Sequence, residues 1–304
     1  MFKPFYRLEN IVEYLKNNVN ILVHGPLSTE RNLYIKNHIV ESETCLHICI
    51  EREQNNSNFV LKGNGKTYII QDKISDLPKL LNSYNINKST VLLDITSLDQ
   101  SIFFYLIKLF ITSIKPKFLF SGYTSPINYI KNIDNFELSE SLQENGSFPG
   151  FARRENPGQE KIIVIILGYE SGRITQLIES ISPDPEVYII ISYPGISPET
   201  KQTIFEKNYI ELNKLQLEST TYYASLNHPF DVINILKRIE TANPKKQLFV
   251  APLGPRPLTL GAAIFSVLNN KVIPVYDFPL EKTLRSNGIK DCFVSDLSSL
   301  IKIL

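Results

Sequence analysis

The stretch Leu248–Phe265, LFVAPLGPRPLTLGAAIF, reads in three parts. LFVAP is an apolar run with the length and composition of a buried strand. LTLGAAIF is apolar over more than two helical turns. Between them stand Gly254, Pro255, Arg256 and Pro257. Proline cannot extend a central strand or a helix interior but is accepted in a helix's first turn, so Pro252, Pro255 and Pro257 predict a strand, a stiff turn and then a helix. Gly254 permits a positive φ or a close backbone approach. Arg256 is thereby displayed where a helix begins, with Thr259 in the same first turn. Burial of its guanidinium without a partner would be costly. A bound oxyanion is one solution, because the planar fork suits bidentate recognition. A salt bridge to an acid such as Glu170 or Asp277 is the other. Gly261, one turn further on, predicts close helix–sheet packing.

The same grammar runs through the chain. Strand-like runs alternate with helix-like stretches, the pattern of an α/β protein with mainly parallel sheets. In the first half the predicted strands are VNILVHG, CLHICI, TYIIQD, TVLLDIT and KFLFSGY, with helices near 30–39, 77–84 and 100–114. In the second half they are KIIVIILG, VYIIISYP, QLFVAPL and KVIPVYD, with helices near 173–180, 198–208, 231–241 and 258–268. A segment rich in Gly, Pro, Ser and charge separates the two. The expected organisation is a domain over 1–139, a linker over 140–159 and a second domain over 160–304. Three landmarks recur in the same order: Gly25, Ser28 and Arg31 against Gly168, Ser171 and Arg173; LLDITSL against VAPLGPRPL; and Tyr123 with Pro126 against Tyr276 with Pro279. The expected fold is therefore two Rossmann-like units related by internal duplication. The competing reading is that all doubly wound domains share this grammar.

Composition narrows the function. With 304 residues, one large or two ordinary domains are expected, at about 100–200 residues each. Lys and Arg number 32 against 31 Asp and Glu, which disfavours an extended nucleic-acid surface, since that mode needs clustered positive charge. The 43% hydrophobic content supplies a core, and no apolar run approaches the roughly 18 residues of a membrane span. The amino terminus lacks a signal-peptide layout, so a cytoplasmic location is expected. Cys45, Cys49 and Cys292 make no disulfide framework. Cys45, His47 and Cys49 share one face of a strand, but half of a metal set is missing, so they are read as structural and no metal is expected.

Chemistry is expected beyond the carboxyl ends of the strands, where open parallel sheets take their ligands. The first turn of each half also opens a helix, whose free N–H groups favour an anion. Ser28, Thr29 and Ser171 either cap those helices or also touch a phosphate. HGPLSTE lacks a Walker ending and GYESGR lacks the Gly-x-Gly-x-x-Gly fingerprint, which disfavours an ATPase or an ordinary dehydrogenase. The candidate binding set is Gly168, Glu170, Ser171, Arg173, Gly254, Arg256, Thr259 and Tyr276, with Glu170 as the candidate catalytic carboxylate. A secondary set comprises His24, Gly25, Ser28, Thr29, Asp94, Thr96 and Tyr123. Asp94 ends an apolar strand and must be satisfied by solvent, a helix N-terminus or a ligand. No cofactor can be named from these residues.

In PLGPRPLTLG, a strand followed by a glycine, a basic residue and an apolar helix resembles the late motif of the CRISPR-associated Rossmann-like (CARF) sensor domains. Those domains commonly carry Thr-Gly-Gly-Thr-Lys there, with Gly254 and Arg256 in the glycine and lysine places. LLDITSL is a looser echo, and a tandem of two units is similar to the SAVED domains. Here proline replaces the threonines, and no attached nuclease, protease or helix–turn–helix is evident. The resemblance implies a nucleotide-binding or sensor subunit of a bacterial antiviral system, acting with a protein partner on a cyclic oligonucleotide. Two other readings compete: a nucleotide- or NAD-processing hydrolase using Glu170 with Arg173 and Arg256, and a non-catalytic structural subunit.

Overall fold

The computed structural model describes residues 6–7, 12–40, 44–52, 59–70, 74–129, 139–141, 146–169, 172–214, 221–278, 280–281 and 286–303, and the elements below are those of these residues. Along the chain come β1 (Tyr6–Arg7), α1 (Val12–Asn18), β2 (Ile21–His24), α2 (Glu30–Ile39), β3 (Leu46–Arg52), β4 (Phe59–Gly63) and β5 (Lys66–Ile70). Then follow α3 (Leu77–Asn82), β6 (Thr90–Asp94), α4 (Gln100–Leu109), β7 (Phe118–Ser125), β8 (Asn128–Tyr129), β9 (Ser139–Ser141) and β10 (Gly146–Ser147). The next group is β11 (Lys161–Ile166), α5 (Ile174–Glu179), β12 (Glu186–Ser192), α6 (Thr200–Lys214), β13 (Thr221–Ala224) and α7 (Pro229–Ala242). Last are β14 (Gln247–Pro252), α8 (Arg256–Leu268), β15 (Ile273–Tyr276), β16 (Leu280–Glu281), β17 (Ser286–Asn287), β18 (Asp291–Asp296) and α9 (Ser298–Ile301). The protein is thus α/β, with parallel strands in both large sheets. No described helix is long and apolar enough to cross a membrane.

The chain divides into two compact units, Met1–Asn128 with Ser286–Leu304, and Tyr129–Arg285. This differs from the expected boundary. The sequence places the second domain through 304, but β18 pairs antiparallel with β7, Val294 opposite Gly122, and so returns to the first unit. The expected linker is also partly structure: β10 pairs antiparallel with β15.

In the second unit the sheet order is β10-β15-β14-β11-β12-β13. All but β10 run parallel. KIIVII in β11 is buried at every residue, as a strand covered on both faces requires. Ile163, Ile165, Leu177, Ile189, Ile204 and Phe249 build the core around it. Helix α8 is buried from Pro257 to Ser266, which explains why its sequence is apolar all round. Gly261 serves helix–helix rather than helix–sheet contact: a Cβ there would lie 2.2 Å from the Pro229 carbonyl oxygen of α7.

The first unit has the sheet order β1-β18-β7-β6-β2-β3-β4-β5. Strands β3, β2, β6 and β7 are mutually parallel. Antiparallel strands flank them on both sides, so this sheet is mixed rather than mainly parallel. The local cause on one side is the β4–β5 turn. Asn64 and Gly65 both have positive φ (51° and 70°), the two-residue geometry whose twist matches a hairpin. Leu15, Leu22, Ile35, Ile39, Leu92 and Val294 form the core on the α1–α2 side.

Candidate functional site

In the second unit the loops after β11 and β14 touch through two glycines. A Cβ on Gly168 would fall 2.5 Å from the Leu253 carbonyl oxygen, and one on Gly254 would fall 2.7 Å from the Ile166 side chain. Gly254 therefore serves close approach, and its φ is not among the positive values. These loops lie beyond the carboxyl ends of neighbouring strands whose connections leave in opposite directions along the sheet, from β11 to β12 and from β14 to β15. Helix α8 starts there. Its N-cap is Pro255, no side chain caps it, and Arg256 is its first residue. Arg256 is half-buried. Thr259 is fully buried, and its hydroxyl donates to the Arg256 carbonyl oxygen at 2.9 Å, closing the first turn.

Arg173 and Asp277 meet in the interior, 4% and 0% exposed. Nε of Arg173 donates to Oδ2 of Asp277 at 2.5 Å, and Nη2 donates to Oδ1. The Arg173 guanidinium also lies over the Tyr276 ring, 5.3 Å from its centroid. Tyr276 is itself buried, stacked on Phe148 and edge-on to Phe278. Asp277 was expected as a possible partner for Arg256; in the structure it holds Arg173, which lies one residue from the end of a helix. Two members of the expected set, Glu170 and Ser171, lie outside the described residues.

The N-terminus of α5, expected as an anion site, receives a carboxylate from within the chain. Glu211 on α6 accepts from the Gly172 N–H at 2.9 Å, the Thr175 N–H at 3.0 Å and the Thr175 hydroxyl at 3.0 Å. Gly172 has φ +83°, a conformation that glycine adopts readily. Sequence reasoning did not single out Glu211, because nothing local marks a cap supplied from 36 residues away.

In the first unit the turn after β2 is likewise held by contacts within the chain. A Cβ on Gly25 would lie 2.0 Å from the Ser97 carbonyl oxygen, and the Gly25 N–H donates to the Ser97 hydroxyl at 2.9 Å. That hydroxyl donates to Asp94 at 3.0 Å, and the Thr96 N–H donates to the same carboxylate at 2.9 Å. Burial pushes the Asp94 carboxyl up to about 6, against the lowering effects of its Thr96 and Ser97 hydrogen bonds and of Arg31. Thr96 accepts from the Thr124 N–H at 2.9 Å. Tyr123 is buried in β7. Thr29 caps α2, accepting from the Asn32 N–H at 3.2 Å, while Ser28 is exposed.

His24 departs from this group. It lines a separate cleft of about 520 Å³ with Lys36, Cys45, His47, Cys49 and Lys62. Its Nδ1 donates to the Gly25 carbonyl oxygen at 2.7 Å, and its ring stands edge-on to His47 at 5.8 Å. The strand CLHICI thus contributes a polar face to a concavity, a role its structural reading did not include. No cluster of three or more His, Cys, Asp or Glu among the described residues is arranged to hold a metal ion.

No family model, curated protein or solved structure matches the chain.

Proposed function

We propose that the second unit is a Rossmann-like nucleotide-binding module that holds its ligand without turning it over, as a sensor subunit working with a protein partner. One observation carries the reading. The turn beyond β14, where the connections of β11 and β14 part, holds the N-terminus of a 13-residue helix, capped by no side chain and headed by Arg256. Open parallel sheets bind ligands at such a point, and a helix N-terminus favours a phosphate. Two buried charges of this unit are held in structural contacts, which supports binding over catalysis: Arg173 pairs with Asp277, and Glu211 caps the end of α5. The two units are read as copies of one ancestor, since Gly25 and Gly168 each follow the central parallel strand and abut the turn after its neighbour. The resemblance to CARF and SAVED domains makes cyclic oligonucleotides the first ligands to try and antiviral defence the setting.

The test is calorimetric titration with NAD, ATP, and linear and cyclic oligonucleotides, followed by chromatography of the recovered ligand. The expected result is binding of one class, ligand recovered intact, and an affinity at least about tenfold weaker in Arg256→Ala, as loss of a charge-assisted hydrogen bond requires. Unchanged affinity in that variant would overturn the site. Turnover that disappears in Glu170→Gln would move the assignment to the hydrolase.

A further inference from the structure

We propose that the His24–Lys36 cleft of the first unit is a binding site for a phosphomonoester or for inorganic phosphate. The sheet register builds its floor. His24 on β2 stands beside Cys49 on β3, and Cys49 stands beside Lys62 on β4, so three polar side chains form one row across three strands. His47 lies two residues before Cys49 and therefore on the same face. Helix α2 supplies Lys36.

The donor set selects the ligand. Among the described residues, two lysines line the cleft and no carboxylate does. Glu51 pairs with Lys62 but is not part of the lining. The Lys36 ammonium is therefore the principal charge on the concavity, and it calls for an anion. The imidazoles narrow the class. Because a carbonyl can only accept, Nδ1 of His24 carries the hydrogen, and the neutral ring presents a lone pair at Nε2. Burial lowers the affinity of both rings for a proton, with Lys36 adding to the effect, and His47 falls to about 4. A neutral imidazole beside an ammonium suits a group that accepts from the one and donates an O–H to the other. Hydrogen phosphate does both, as does a phosphomonoester in its singly protonated form, whereas a phosphodiester or sulfate has no O–H in any form present near neutral pH. Burial pushes the Cys45 and Cys49 thiols up to about 11, which keeps them as weak donors rather than thiolate ligands for a cation. The volume lies in the roughly 300–1,000 Å³ range of small-molecule sites.

The experiment uses the full chain with ¹⁵N-labelled histidine. Side-chain resonances are followed during titration with inorganic phosphate and with ribose 5-phosphate, against sodium chloride at matched ionic strength. His24 and His47 should shift saturably with phosphate. Lys36→Ala should weaken the binding about tenfold or more. Lys36→Arg should retain most of it, and Arg256→Ala should leave it unchanged, which separates this site from the one on the second unit. Tighter binding of ribose 5-phosphate than of phosphate would identify the monoester as the ligand; equal binding would identify the free anion. Shifts that chloride reproduces, or an affinity indifferent to Lys36→Ala, would overturn the proposal. A saturable response to Zn²⁺ with none to phosphate would overturn it in favour of a metal site.

Discussion

Arg173 and Asp277 give up nearly all their water to form a bidentate pair, and each is tolerable only because the other is present. Removing one partner of a buried pair typically costs about 3–5 kcal/mol, while replacing both with apolar groups is often close to neutral. Asp277→Ala should therefore destabilise the second unit by about that amount in urea unfolding, and Arg173→Met with Asp277→Leu should be closer to wild type than either single change. Asp94 makes a prediction with the opposite logic. Its folded carboxyl titrates near 6 against a normal value of 3.8, so the folded state holds the proton more tightly. Its contribution is fully present at low pH and is lost as pH rises from about 4 to about 6, a change of roughly 3 kcal/mol at 1.36 kcal/mol per unit. The stability of Asp94→Asn relative to wild type should rise across that window in melts recorded at stepped pH. His24 and His47 act the other way. Their lowered affinity withdraws stability as pH falls below about 6.5. His47→Asn should hold up better than wild type toward pH 4 in the same melts.

At the scale of elements, α5 depends on a residue from another helix. Glu211→Ala strips three hydrogen bonds, two of them to helix-end N–H groups, and should cost about 1–3 kcal/mol. Amide exchange at Gly172 and Thr175 should accelerate beyond the global change. What could be read in advance divides along the same line. Helix α2 occupies the predicted 30–39, since its periodicity and its Thr29 cap are local. The strands of both parallel cores lie where apolar runs placed them, except β13, whose Thr221–Ala224 is too short and too polar to stand out and is not among those predicted. The β4–β5 hairpin was legible in principle, because Asn64–Gly65 between apolar runs is the strongest short-range hairpin signal; only its second strand, TYIIQD, was anticipated. The Glu211 cap and the Arg173–Asp277 pair were not legible. Both are made by residues brought together from positions 36 and 104 apart by the winding of the sheet. The His24 cleft falls between these cases. The shared face of Cys45, His47 and Cys49 could be read from alternation, but the register that adds His24 and Lys62 could not.

For the molecule as a whole, the second unit is inserted in chain order between β7 and β18 of the first. Phe293, Val294, Leu297 and Leu300 are buried, so the last segment is core rather than tail. A chain ending at Arg285 should lose the cooperative unfolding transition of the first unit and retain that of the second, as followed by thermal melting with probes in each. The same arrangement has a consequence during synthesis. Strand β7 leaves the ribosome with β6 available on one side and its other partner not yet made. Elongation proceeds at roughly 5–20 residues per second, so the nascent first unit carries an open sheet edge for as long as the whole second unit takes to emerge. Of the two, the unit encoded later is the first able to finish folding.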